Sequence, residues 1–226
     1  MEEIAVSVIL PVYNPGKGIR KCIESLQRQT LRDIEMIFVD DCGTDGAMEQ
    51  VKEAAARDSR IKYLINPHNI GPGPSRNRGI EAAEGEYLAF ADPDDYLGED
   101  FLELLYTKGV STGADIVKGN RILVDENGEE IKEKRKDNLN ERIQRGLSIG
   151  ENLCVYFSYD HWTAIYRRDW VMSSGARYGT SCNSEDVTFQ LRVSYGTRKI
   201  EFAENAIYYY VTRKQSRVRD YCPAAN

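Results

Sequence analysis

Three carboxylates fall within four positions at Asp92-Pro93-Asp94-Asp95, directly after the apolar run 87–91. Like charges this close raise one another's pKa and cost stability unless a metal ion, a cluster of cations or water compensates them. A second acidic pair, Asp40-Asp41, follows the strand-like run "IEMIFV" (34–39), and a third, Glu185-Asp186, opens a segment with helical periodicity. Hard oxygen ligands completed by water suit Mg2+ or Mn2+, and Mg2+ is commonly held by one or two carboxylates plus substrate phosphates. Read alone, Asp92, Asp94 and Asp95 fit equally well a solvated turn capping the helix that starts near Gly98.

Nearby cations are fewer, chiefly Arg76 and Arg78 in "GPGPSRNRG" (71–79). This is not the dinucleotide fingerprint, because five residues follow the first G-x-G before the next glycine, where the fingerprint has two. It reads as a rigid loop entering a helix N-terminus whose first turns carry guanidinium groups, a combination that suits a phosphate. An exposed polar helix face is the rival reading, and for Arg78 the favoured one. Ser184 is a good N-cap for the helix that follows, which puts Asp186 in its first turn. The helix dipole there favours the ionised carboxylate, the form a general base needs. On these residues alone, Glu185 and Asp186 read first as decoration of a helix start.

The elements that must position these groups alternate along the first half of the chain. Strands are expected at 6–12, 34–40, 60–66, 87–91 and 114–120, with helices at 16–29, 47–57, 74–84 and 99–109 between them. Strands that are apolar throughout and separated by helices imply a parallel sheet covered on both faces, the doubly wound α/β class. In such sheets ligands bind at the carboxyl ends of the strands, where four polar clusters of the first half fall: Pro11-Val12-Tyr13-Asn14, Asp40-Asp41, "NPHNIGPGPSRNRG" and Asp92–Asp95. After about residue 120 the regularity breaks. A hairpin turning at Glu126-Asn127-Gly128, a solvated charged segment at 132–145, a strand near 162–166, a helix at 185–195 and two strands, "KIEFA" and "AIYYYV", are expected.

The chain has 226 residues, 41% hydrophobic and 29% charged, with net charge -6, a globular composition and not that of a basic nucleic-acid binder. "MEEIAVSVILPVY" carries acids where a secretory signal needs cations, and no apolar stretch reaches the roughly 20 residues that span a bilayer. Cys22, Cys42, Cys154, Cys182 and Cys222 are scattered without a CxxC pair, which favours free thiols in a reducing cytoplasm over a structural zinc site.

In this order, "VSVILPVYN", "IEMIFVDDCGTDG", "NIGPGPSRNRGIEAAEGEYLAFADPDDYL" and "NSEDVTFQLRV" resemble the family 2 glycosyltransferases, inverting enzymes of the GT-A fold. The resemblance covers most of 4–215 and is densest over 4–110. It implies a Rossmann-like, mostly parallel central sheet flanked by helices, with a smaller mixed acceptor-side region. The donor-binding part would be 1–119 and the acceptor-side and catalytic-base part 120–226, in one continuous domain.

The resemblance also implies roles. Tyr13 and Asp41 would hold the nucleotide base, Asp41 accepting from a uracil N–H, with Pro11 beginning that loop. Arg76 would lie near the base or diphosphate. Asp94 of the D-x-D motif would ligate Mg2+ or Mn2+, Asp92 would contact the ribose or help hold the metal, and Asp95 would support them. Asp186 would be the general base, with Glu185 beside it in the E-D pair. Arg213, Lys214, Arg217 and Arg219 would supply cations to the diphosphate, with a frayed basic tail an equal reading for Arg217 and Arg219. The implied partners are a nucleotide-sugar, expected to be UDP-linked, and a saccharide or lipid-linked saccharide acceptor, with no nucleic acid. The location would be cytoplasmic, with peripheral contact at the inner face of a membrane left open. Three departures stand out: Cys42-Gly43 where the family usually has Gly-Ser, Ala164 where many members carry Lys, and an end soon after the basic loop, as an excised domain would have. Two rivals stay in view. A nucleotidyltransferase would need a glycine-rich, cation-bearing loop after the first strand, which "PVYNPGKG" matches poorly; the other is a non-catalytic sugar-nucleotide-binding module.

Overall fold

The computed structural model describes residues 3–131, 160–180 and 185–212. Strand β1 (Val6–Val12) is buried at every position and β2 (Ile34–Asp40) at all but its last. They pair in parallel, Val6 opposite Ile34 through Val12 opposite Asp40. A strand covered on both faces has no solvent side, which is why these runs are mostly apolar, with the buried Ser7 and Glu35 hydrogen-bonded to each other. Helix α1 (Gly18–Gln27) connects them, and α2 (Ala47–Ala55) leads from β2 to β3 (Ile61–Ile65). β3 is the edge strand and exposes Lys62, Tyr63 and Ile65.

The chain then reverses its direction across the sheet. Helix α3 (Pro72–Ala82) carries it back to β4 (Tyr87–Phe90), which pairs in parallel with the other side of β1. Successive strands therefore diverge between β1 and β4, and the crevice at their carboxyl ends is where such sheets bind ligands. α3 lies close on β1: a Cβ at Gly79 would stand 2.3 Å from Ile9 Cγ2, so only glycine fits there.

The remaining elements are β5 (Tyr96–Leu97), α4 (Phe101–Thr112), β6 (Ile116–Val124), a 3-10 turn His161–Thr163, β7 (Ala164–Arg167), α5 (Arg168–Ser174), α6 (Glu185–Ser194) and β8 (Ile200–Val211). They extend the sheet to eight strands in the order β3-β2-β1-β4-β7-β6-β8-β5. β7 is antiparallel to both β4 and β6, and β5 is antiparallel to β8, so the other six strands share one direction. Two apolar layers sandwich the sheet. One joins Val8, Leu10, Ile19, Leu26, Phe38 and Phe101, and the other joins Ile9, Ile37, Ile80, Phe90, Tyr166 and Phe189. The alternation of Val8, Ile9 and Leu10 between layers is the period of two along a strand.

Reversed β7 inserts between β4 and β6. Two expectations are corrected. "KIEFA" and "AIYYYV" are one strand, β8, whose pairing with β6 shifts register between Lys118 and Asn120. The return arm expected after Gly128 reduces to a bridge between Val124 and Glu130. β6 runs through the expected boundary at 119/120, and the sheet is continuous across it. The charged stretch 132–145 lies outside the described residues. Among the described residues, no helix is long and apolar enough to cross a membrane.

Candidate active site

The polar clusters meet at the carboxyl edge of β1, β2 and β4, and each is fixed by a different partner. Pro11 is buried inside β1 and Tyr13 follows it, partly exposed. Asn14 takes a left-handed φ of 47° and its Oδ1 accepts from the Thr44 N–H at 2.6 Å, tying the loop after β1 to the loop after β2. Cys42, one of the departures from the family pattern, is likewise left-handed with φ 65°.

The adjacent acids Asp40 and Asp41 point to different surroundings. Asp41 is fully buried, and its carboxylate accepts from Asn66 Nδ2 (2.8 Å), Ile70 N (2.8 Å) and Gly71 N (2.9 Å). These bonds latch the loop leading into α3. Asp40 is partly exposed, and its Oδ1 accepts from the Cys42 N–H at 2.9 Å. Arg78 turns away from the crevice, donating to the Ile65 carbonyl at 3.0 Å and to Asn66 Oδ1.

The acidic triplet also splits. Asp95 is buried, its Oδ1 taking the Val211 N–H at 2.8 Å and its Oδ2 the Tyr208 hydroxyl at 3.0 Å. Burial, then the charges of Asp94 and Asp92, push its carboxyl well above the usual range despite those bonds. The Asp92 N–H donates to the same Tyr208 oxygen at 3.1 Å, and its Oδ1 takes Arg76 Nη2 at 2.7 Å. Asp94, between them, is partly exposed, as is Asp92.

Arg76 is almost wholly buried and its second amine, Nη1, reaches Glu185 Oε1 at 3.1 Å. Burial opposes its charge, but Asp92, Tyr178 and Glu185 outweigh that and hold its pKa above the ordinary value. Glu185 is raised by burial against the pull of Arg76. Asp186, next along α6, has its Oδ2 3.8 Å from His161 Nδ1. The approach of α3 to α6 needs Gly73, because a Cβ there would lie 2.2 Å from the Gly179 carbonyl oxygen and 3.1 Å from Glu185 Cγ. Pro72 at the first helical position pre-sets that turn.

Tyr178, Tyr208 and Asn66 were not singled out in the sequence. Tyr178 stacks on Phe189 at 4.4 Å and lies 5.2 Å from the Arg76 guanidinium. Three tyrosines in a row on a strand cannot face one side, and that alternation is the signal for Tyr208. Tyr208 and Tyr210 both lie against Trp162, at 4.5 and 5.3 Å. Ala164, where many family members carry lysine, sits opposite Lys118 in the β6–β7 pair. Lys118 is buried, which pulls its pKa down to about 8 against the influence of Asp160. Ser184, Arg213, Lys214, Arg217 and Arg219 lie outside the described residues.

Among the described residues, no three His, Cys, Asp or Glu side chains form a ready metal cage. The donor set is nevertheless all oxygen, with partly exposed Asp94 beside Asp92. It fits Mg2+ or Mn2+ in the mode where phosphate oxygens and water complete the shell.

The sequence pattern of Glycosyl transferase family 2 matches residues 7–174. EpsH of Bacillus subtilis is 34% identical over 230 residues, 98% of this chain and 64% of EpsH. Glycosyltransferase GlyA of Streptococcus pneumoniae is 32% identical over 221 residues, 95% of this chain and 31% of GlyA. The chain thus spans less than two thirds of the length of these relatives. The crystal structure of S. aureus TarS 1-349 in complex with UDP-GlcNAc superimposes with a TM-score of 0.78 at 25% identity, covering 95% of this chain and 60% of that one. Sheet order, helix placement and these matches agree: the chain has the GT-A fold and belongs to glycosyl transferase family 2.

Proposed function

We propose that this chain transfers a sugar, with inversion, from a UDP-linked donor to a hydroxyl of a saccharide or lipid-linked saccharide, on the cytoplasmic side. The observation that carries the reading is the line Asp92–Arg76–Glu185, which brings the acidic end of β4 and the acidic start of α6 to one crevice at the switch point of the sheet. UDP-GlcNAc and UDP bound to the structural neighbour TarS support a UDP-linked donor.

In this reading Pro11, Tyr13 and the Asp40-Asp41 turn border the base. Asp41 meets the base through the loop it latches as much as through its own carboxylate, since three N–H donors already occupy it. Asp94, with Asp92, would hold Mg2+ or Mn2+, which when bound neutralises charge on the diphosphate. Arg213 would add a cation from beyond β8. Asp186 takes the proton of the acceptor hydroxyl. That oxygen attacks the anomeric carbon in line, the anomeric C–O bond breaks, and its electron pair leaves with UDP. A positioned base contributes roughly 10²–10⁴-fold to such a step.

The test is a panel of nucleotide-sugars screened for Mn2+- or Mg2+-dependent thermal stabilisation, followed by transfer to saccharide acceptors. Stabilisation by UDP-sugars together with product formation is expected. Binding without turnover on every acceptor would favour a non-catalytic module, and no response to any UDP-sugar would overturn the reading.

A further inference from the structure

We infer that Arg76 is a positioning residue, joining the donor-side acid Asp92 to the base-side acid Glu185, and not a ligand of the nucleotide. This rests on the transferase reading above and changes the role of one of its residues.

The first ground is confinement. The Arg76 side chain is 5% exposed, with Nη2 2.7 Å from Asp92 Oδ1 and Nη1 3.1 Å from Glu185 Oε1. The Tyr178 ring lies 5.2 Å from its guanidinium carbon, and Nε is buried without a hydrogen-bond partner among the described residues. Swinging toward a diphosphate would break both bonds and leave two carboxylates uncompensated. The planar fork of arginine spans two acids at once, which the single ammonium of lysine does not.

The second ground is the geometry around the bridge. Gly73 and Gly79 stand three residues either side of Arg76 on α3, and both are in close contact, Gly73 with Gly179 and Glu185 and Gly79 with Ile9. α3 is therefore pinned to α6 and to β1 on either side of Arg76. The bridge spans 16 residues to Asp92 and 109 to Glu185, and so ties the end of β4 to the start of α6. Pairing Glu185 with Arg76 fixes the first residue of α6, and with it the direction in which Asp186 points. It also lowers the negative charge beside Asp186. A base held within a fraction of an ångström of its target is what positioning supplies, and a small misplacement costs orders of magnitude in rate.

The experiment compares wild type with R76K, R76Q, E185Q and the R76Q/E185Q double variant, on the acceptor found in the panel. Donor KM, kcat, UDP affinity with Mn2+ by calorimetry, and melting temperature are measured for each. We expect R76K and R76Q to lose kcat by about 10–100-fold, with donor KM and UDP affinity within about threefold of wild type. The R76Q and E185Q losses should not add, the double variant being no slower than its slower parent, because both remove one bridge. R76K keeps the charge and the stem, so it provides the kinetic reading should R76Q fail to fold. A collapse of UDP affinity with kcat retained would make Arg76 a nucleotide ligand. Strictly additive losses would show that Arg76 and Glu185 act apart. Losses that track melting temperature and vanish on cooling would reduce the bridge to a stabilising contact. Each of these overturns the inference while leaving wild-type transfer intact. Failure of the transferase reading shows instead in wild type, as no transfer at all, and takes the inference with it.

Discussion

The two ends of the same four parallel strands both bury acids, and they treat them in opposite ways. At the amino end Glu35 is 2% exposed and meets Lys62 at 2.8 Å, the Ser7 hydroxyl at 2.5 Å and the Glu84 N–H at 2.7 Å. Burial pushes its carboxyl up, and those partners together more than reverse this, leaving it below the ordinary range. At the carboxyl end Asp95 and Glu185 are raised, Asp92 and Glu185 share one arginine, and Asp94 and Asp186 add further charge. The amino end is internally compensated and has no electrostatic use for a ligand. The carboxyl end gathers Asp92, Asp94, Asp95, Glu185 and Asp186, with one arginine shared between two of them, which suits a site completed by a cation and a diphosphate. A buried acid alone therefore does not mark a site; an acid that the fold leaves incompletely compensated is the stronger sign.

The widest separation between the ends should appear in rate. Asp186→Asn keeps size and hydrogen bonding but removes basicity, so transfer should fall by roughly 10²–10⁴-fold while UDP-sugar affinity stays near wild type. Turnover with a responsive acceptor and calorimetry on the donor check this. Undiminished transfer would make Asp186 a helix-start acid with no more chemistry than Glu35. Next comes Asp94→Asn. UDP should bind wild type far better with Mn2+ or Mg2+ than in EDTA, and the substitution should erase most of that difference. The loss should exceed the roughly 10–100-fold that removal of an outer-shell partner costs in metal affinity. Equal affinity in EDTA for wild type would show that the carboxyl end, like the amino end, needs no metal.

What the sequence makes legible follows from the same contrast. Runs 6–12 and 34–40 become β1 and β2 at those bounds because apolar residues dominate both, with Ser7 and Glu35 as the buried polar exceptions that pair with each other. The acidic clusters are legible as a group, since short polar residues after apolar runs mark strand ends. Which acid faces inward is not legible. Asp41 and Asp95 are fixed by Asn66, Ile70, Gly71, Tyr208 and Val211, and pairing across such distances leaves no local pattern. The insertion of β7 beside β4 is hidden for the same reason. "KIEFAENAIYYYV" reads as two strands because Glu204-Asn205 resembles a turn, where the structure absorbs it as a register shift. The sequence reading favours an exposed face for Arg78 and not for Arg76, and two positions apart on a helix the two do face different ways. The spacing Gly73–Arg76–Gly79 was the available clue that Arg76 is the inward one.

The amino end can be broken on its own terms. Lys62→Met leaves Glu35 buried without its cation, which costs about 3–5 kcal/mol in a closed site. Lys62 is 47% exposed, so water replaces part of the lost pairing and we expect about 1–2 kcal/mol of destabilisation, read by urea unfolding. UDP affinity and turnover should be unchanged. A drop in either at temperatures where the variant is folded would show that the two ends are coupled through the strands, which would break the division drawn here.

The smallest effect is in the pH dependence of stability, where the two ends should have opposite signs. Glu35 has a depressed pKa in the folded protein, so its contribution is fully present above its unfolded value near 4.5 and is lost as pH falls through the folded value. Glu185 has a raised folded pKa, so its ionisation costs stability above that value, and the cost is relieved as pH falls back through it toward 4.5. Glu35→Gln should therefore melt below wild type at neutral pH, with a gap that closes on acidification. Glu185→Gln should melt at or slightly above wild type at neutral pH, and that difference should also shrink toward pH 4. Melting curves from pH 4 to 8 for the three proteins give the comparison directly. If Glu185→Gln fell below wild type at neutral pH by as much as Glu35→Gln, the Arg76 pair would be a net stabilising bridge like that at the amino end. The contrast in compensation would then rest on Asp95.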